Sequence, residues 1–165
     1  MQNRAASWMV FALGLVLATT PLVYGCAHLG ARPAELGGLE PYRVNGRTYV
    51  PLQKWQSYQE IGVASWYGGQ FHGRTTASGE RFDSRESYTA AHRTLPFNVC
   101  AQVQHIPSGR SVVVRINDRG PFARGRLIDL SRAAAEKLGL TGTGLARVRV
   151  AAVGVADADG RCRSV

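Results

Sequence analysis

The feature that most constrains this chain is a rhythm of short apolar runs closed by glycine-rich punctuation. The runs are residues 61–67, 88–92, 99–105, 111–116, 126–130 and 145–155. In the last, Val148 and Val150 alternate with Arg147 and Arg149, the period-two signature of a strand with one buried face. Residues 111–116 are dense in β-branched Val112, Val113, Val114 and Ile116, which favour strands. One segment breaks the pattern. Ser131 is a good N-cap, residues 133–138 have high helix propensity, Lys137 suits a C-terminal turn, and Gly139 stops the helix. Many short strands with one small helix predict a mainly β body over residues 61–155. Periodicity leaves a barrel and a sandwich both open.

The segments before this body read differently. Residues 41–60 form a hairpin extension, with Asn45-Gly46 as the turn between Tyr42, Val44 and Tyr49. Residues 26–40 read as a tether containing Gly30, Pro33, Gly37 and Gly38. Residues 1–25 have the parts of a secretory signal: Arg4, then an apolar stretch over 8–18, then Leu22-Val23-Tyr24-Gly25-Cys26. The last five resemble the lipobox of bacterial lipoproteins, which implies a lipidated Cys26 as the mature N-terminus. Ala27 after it implies, by the same resemblance, transfer to the outer membrane. Two other readings stand beside this one. An uncleaved anchor would use the uncharged residues 5–25, interrupted by Thr19, Thr20 and Pro21. A plain secretory cleavage would leave Cys26 free. In an oxidising compartment Cys100 and Cys162 can pair, tying a central strand to the tail at 156–165; otherwise Cys100 is a buried thiol and Cys162 incidental.

The net charge of +9 favours polyanionic partners such as nucleic acid, anionic lipid or an acidic cell wall. The basic residues are spread along the chain without a dense run, and export argues against nucleic acid. His72, His92 and His105 lack paired-ligand spacing and no two cysteines are close, so no metal is expected. No glycine-rich loop matches a nucleotide cradle, no cofactor is called for, and no nucleophile elbow frames a Ser–His–Asp set.

Four ordered runs carry a family resemblance: Gly62-Val63-Ala64-Ser65-Trp66-Tyr67-Gly68, Phe71-His72-Gly73-Arg74-Thr75-Thr76-Ala77-Ser78-Gly79-Glu80, Thr89-Ala90-Ala91-His92-Arg93-Thr94-Leu95-Pro96, and Val113-Val114-Arg115-Ile116-Asn117-Asp118-Arg119-Gly120-Pro121-Phe122. Residues 126–131 and the alanine helix support them. Together they resemble the rare lipoprotein A family of septal-ring lytic transglycosylases. The resemblance implies a six-stranded double-psi β-barrel that cuts peptidoglycan internally, between N-acetylmuramic acid and N-acetylglucosamine. It also implies 1,6-anhydro products and a preference for strands without stem peptides. The implied setting is the envelope, facing the periplasm, with glycan strands, the membrane and cell-division proteins as partners. A non-catalytic, expansin-like wall-binding module is the other reading.

The reaction needs one group that protonates the leaving oxygen and then takes the proton of the substrate's own 6-hydroxyl. Asp118 follows an apolar strand at the mouth of the Gly120-Pro121 turn and is the first candidate; it can equally cap that turn. A proton donor there needs a raised pKa, which fits only if Arg119 points away or binds substrate. Glu80 and His92 are expected, by resemblance, to line the same groove, with Glu80 supporting the transition state and His92 orienting Asp118 or holding glycan. Each has a plainer reading, as a turn carboxylate and a strand-end imidazole. Trp66 and Tyr67 can stack on a sugar or pack inward. Arg115 suits lactyl or peptide carboxylates, or is a surface strand residue.

Overall fold

The computed structural model describes residues 32–85 and 87–163. The leader, Cys26 and the first part of the tether lie outside them.

Strand β6 (Ser111–Asp118) explains how the core forms. Val112, Val114 and Ile116 are buried while Val113 and Arg115 are partly exposed, so alternate side chains enter one interior. The other barrel strands are β3 (Gln59–Trp66), β4 (Thr89–His92), β5 (Val99–His105), β7 (Arg126–Leu130) and β8 (Ala146–Val155). They close in the order β3-β7-β4-β6-β5-β8, which decides for a barrel over a sandwich. Val99, Ala101 and Val103 meet Val148 and Val150 inside it. Two parallel pairs, β3 with β7 and β4 with β6, interlock among antiparallel ones. That is the double-psi arrangement the resemblance implies. Gly62 in β3 is required by close approach: a Cβ there would lie 2.6 Å from Leu127 Cβ.

Helix α1 (Arg132–Leu138) starts where Ser131 Oγ accepts the Ala134 amide at 3.3 Å and ends at Gly139 with φ 77°. Ala134, Ala135 and Leu138 bury its inner face. Strands β1 (Tyr42–Val44) and β2 (Arg47–Tyr49) pair antiparallel across Asn45 (φ 50°) and Gly46 (φ 75°), the left-handed pair a tight hairpin turn needs. Tyr42 stacks on Tyr49 at 5.3 Å, and Tyr49 meets Phe122 at 5.4 Å. The hairpin therefore lies on the loop that follows β6.

Residues 32–40, read as tether, are not a free spacer. Ala34 N donates to Ala156 O at 2.7 Å, Phe97 N to Gly37 O at 2.8 Å, and Asn98 Nδ2 to Glu35 O at 2.7 Å. Backbone pairing makes this stretch a strap on the barrel. At the other end Cys100 on β5 is bonded to Cys162, closing a sequence separation of 62. Cys162→Ser should lower unfolding stability by about 4 kcal/mol on the chain-entropy account of a loop that long; parallel denaturant titrations of oxidised parent and variant will read it.

Candidate active site

The site grows from the end of β6. Asp118 registers beside Ala91 of β4, Ala91 beside Asp129 of β7, and Asp129 beside Ser65 of β3. Four neighbouring strands thus carry two carboxyl groups in one row, separated by the fully buried Ala91.

Asp118 is fixed through one oxygen. Its Oδ1 accepts the Arg119 amide at 2.8 Å and the Ala77 amide at 2.9 Å. The second amide comes from the loop before Glu80, which Ser78 N ties to Asn117 O at 3.2 Å. Oδ2 has a long contact of 3.4 Å from the Tyr67 hydroxyl. Asp118 stands on the wall between two hollows. One, about 460 Å³, is lined by Tyr42, Phe97, Phe122 and Ala77. The other, about 240 Å³, is lined by Tyr67, Phe71, Arg74 and Phe82. Bonding to amides accordingly does not remove Asp118 from the cleft.

Tyr67 is brought to Asp118. Its ring also packs edge-on against Phe71 at 5.4 Å and Phe82 at 5.2 Å. Burial, with Asp118 and Asp129 nearby, pushes its hydroxyl well above the usual phenol value, so it stays protonated as a donor. Trp66 goes elsewhere, packing on the hydrophobic core.

Glu80 and Arg115 find each other. Arg115 Nη1 donates to Glu80 Oε1 and Nη2 to Oε2 at 2.7 Å, with Asn117 Nδ2 at 3.3 Å from the same Oε2. The Arg115 hydrogen bonds hold the Glu80 carboxyl below its ordinary value. This pair braces the loop that delivers Ala77 to Asp118. It also occupies the Arg115 guanidinium, for which a contact with substrate carboxylates and a plain surface position were both open from the sequence.

Arg119 points away from the Asp118 carboxylate. Nη1 donates to Leu95 O at 2.6 Å and His92 O at 3.2 Å, and Nη2 to Gly38 O. The guanidinium lies 4.2 Å from the centre of the Phe97 ring. It clamps strap, hairpin and barrel together at the edge of the larger hollow. His92 is likewise not beside Asp118. Its Nδ1 accepts the Leu95 amide at 2.9 Å and the Thr94 amide at 3.2 Å, leaving Nε2–H to meet the Tyr58 hydroxyl at 2.9 Å. Tyr58 donates onward to Glu60 at 2.8 Å. Burial, then the Arg93 and Arg119 charges, push the imidazole down to about 3.

The matches to known proteins fit this geometry. A family model described as lytic transglycolase, of the double-psi barrel type, matches residues 59–150. The chain belongs to the rare lipoprotein A family of lytic transglycolases. Its similarity to proteins named endolytic peptidoglycan transglycosylase RlpA is extensive. It is 53% identical to the one from Pseudomonas aeruginosa PAO1 over 110 residues, covering 67% of this chain and 32% of the relative. For Neisseria meningitidis MC58 the identity is 49% over 109 residues, covering 66% and 45%. For Vibrio cholerae N16961 it is 45% over 129 residues, covering 78% and 49%. The matched region is thus a third to a half of each relative's length.

Sequence reasoning missed one residue of the row. Asp129 has a tenth of its side chain exposed, accepts the Ser65 hydroxyl, and lies 3.8 Å from Arg126 Nη1. Burial raises its pKa, and the Asp118 charge pushes the same way against the opposing Ser65 and Arg126. The available signal was an acid inside an otherwise apolar strand, between Ile128 and Leu130.

Proposed function

We propose that this chain is an endolytic lytic transglycosylase that cuts peptidoglycan between N-acetylmuramic acid and N-acetylglucosamine, releasing 1,6-anhydro ends. The observation that carries this is Asp118: anchored through Oδ1, with Oδ2 turned to a cleft that has a tyrosyl donor and aromatic walls. Asp118 hands a proton to the glycosidic oxygen. The resulting carboxylate then takes the proton of the 6-hydroxyl as that oxygen closes on the anomeric carbon, so no water is consumed. Asp118 is favoured over Asp129 for this contact because it is the more exposed of the two. Asp129 tunes the field at the cleft, and Tyr67 holds the reacting carboxyl or a sugar hydroxyl. Glu80 acts through the loop it braces, and His92 through the frame. Arg119 lines the cleft edge. Strands free of stem peptides are the preferred substrate. The enzyme works in the envelope, held through lipidated Cys26 to the outer membrane and facing the periplasm, with division proteins as partners.

Asp129→Asn should reduce turnover by roughly tenfold or more while leaving strand binding unchanged, since a field acts most where charge develops. Product analysis by mass spectrometry on stripped strands, beside a pelleting assay, separates the two quantities. Equal losses of binding and turnover would make Asp129 a structural residue.

A second reading rests on the two amides that occupy Asp118 Oδ1, because a carboxylate so held also suits a rigid wall-binding module without turnover. Stripped strands that pellet with the protein yet yield no anhydro ends would select it.

A further inference from the structure

A hollow of about 500 Å³ lies between β2, the start of β3, the loop 121–125 and the start of β7. Four arginines line it: Arg47, Arg93, Arg124 and Arg126. The one carboxylate among its lining residues, Glu60, already accepts the Tyr58 hydroxyl. Arg93 is committed to the Pro121 and Arg126 carbonyls at 3.0 and 2.7 Å. Arg126 Nη1 is committed to Ser65 at 2.9 Å. Arg47 and Arg124 are exposed, and their side chains make no hydrogen bond or ion pair among the described residues. Tyr49 and Phe122, 5.4 Å apart, supply an apolar wall.

This hollow adjoins the acid row through two of its lining residues. Arg126 lines it and lies 3.8 Å from Asp129, while Phe122 lines both it and the larger hollow beside Asp118. Phe122 is the wall common to the two hollows, so a glycan strand lying across that ring would present successive sugars to both. The chemistry of the arginine-lined hollow is two free forked cations beside ring faces, which suits a carboxylate carried on a sugar.

We propose that this hollow reads the free lactyl carboxylate of a muramoyl residue next to the bond being cut. Each muramoyl sugar carries a lactyl ether. With the stem peptide attached, the lactyl carboxyl is a neutral amide bearing a bulky chain; once the peptide is removed, it is an anion. Arg47 and Arg124 thus make the charge of the stripped strand the determinant of substrate choice. The hairpin is the element that brings Arg47 and Tyr49 to the cleft. The inference rests on the enzyme reading for its substrate, and its binding arm stands apart from turnover.

The test compares the full-length parent with the Arg47→Gln/Arg124→Gln double variant, whose two altered side chains are exposed and make no hydrogen bond or ion pair among the described residues. Three strands are used: stripped, stripped with the lactyl carboxyls converted to methylamides, and peptide-bearing. Dissociation constants come from cosedimentation, and KM from anhydro-product release. Amidation should weaken binding to the parent by roughly tenfold or more, the value of a charged hydrogen bond. The double variant should lose about the same factor on stripped strands, with no difference between acid and amide. Binding to amidated strands should be equal for the two proteins. A double variant that keeps the acid-over-amide preference overturns the proposal. So does a parent that binds peptide-bearing strands as tightly as stripped ones, since the hollow would then read peptide carboxylates. An intact difference in dissociation constants without anhydro product supports the hollow and removes the enzyme reading alone.

Discussion

Asp118→Asn should abolish anhydro-sugar release while leaving the barrel intact. The asparagine oxygen can keep both amide bonds, from Ala77 and Arg119, because they converge on Oδ1. The new Nδ2 sits where Oδ2 stood and can donate to the Tyr67 oxygen, reversing that contact without vacating it. What disappears is the capacity to give and retake a proton. General acid–base groups contribute typically about 10²–10⁴-fold, so turnover should fall by that amount. Strand pelleting and the unfolding midpoint should stay close to parent. An Asp118→Asn protein with turnover near parent would remove the carboxyl from the chemistry and leave Asp129 as the donor to test.

How far the sequence reaches depends on whether a signal is local. The helix was legible because a cap, a propensity run and a stop lie within nine residues, and Ser131, Lys137 and Gly139 act on neighbouring backbone. The inward face of β6 was legible because alternation writes it into Val112, Val114 and Ile116. The site was less so, because cross-strand register decides it. Glu80 and Arg115 are 35 residues apart, and nothing local says that each satisfies the other. Asp118 and Arg119 are adjacent, yet their side chains diverge: Leu95 O, Gly38 O and the Phe97 ring draw the arginine to the strap. Asp129 was hidden because an acid inside an apolar run looks like a misplaced surface residue until Ser65 and Arg126 stand beside it. The strap read as a spacer because its bonds to residues 97–98 and 156–158 involve backbone, which leaves no side-chain pattern.

Acid should destabilise the fold from a pH where carboxylates are still ionised, and His92 is the cause. It is 2% exposed, and its Nδ1 already accepts two amides. Protonation would place an N–H against two N–H donors, in the field of Arg93 and Arg119. The folded pKa is therefore depressed from 6.5 to about 3, and the unfolded chain binds the proton first. The sign follows: this contribution is complete above the unfolded value and is lost as pH falls through the folded one. The whole window is worth on the order of 5 kcal/mol, with roughly 2–3 kcal/mol of it lost between pH 6.5 and 4.5. Glu80, also depressed, adds a loss of the same sign, but only from near its ordinary 4.5 downward. Asp129, raised by burial, has the opposite slope, favouring the fold at low pH. The early loss therefore belongs to the imidazole. His92→Asn isolates it, because an Asn oxygen can take the Thr94 and Leu95 amides in place of Nδ1 yet does not titrate. Denaturant midpoints of parent and variant from pH 7 to 4 should converge as pH falls, with the parent losing stability faster. Parallel curves through pH 6.5 to 4.5 would mean that the buried ring charges inside the fold at little cost, and that a network other than Tyr58 and the two amides holds it.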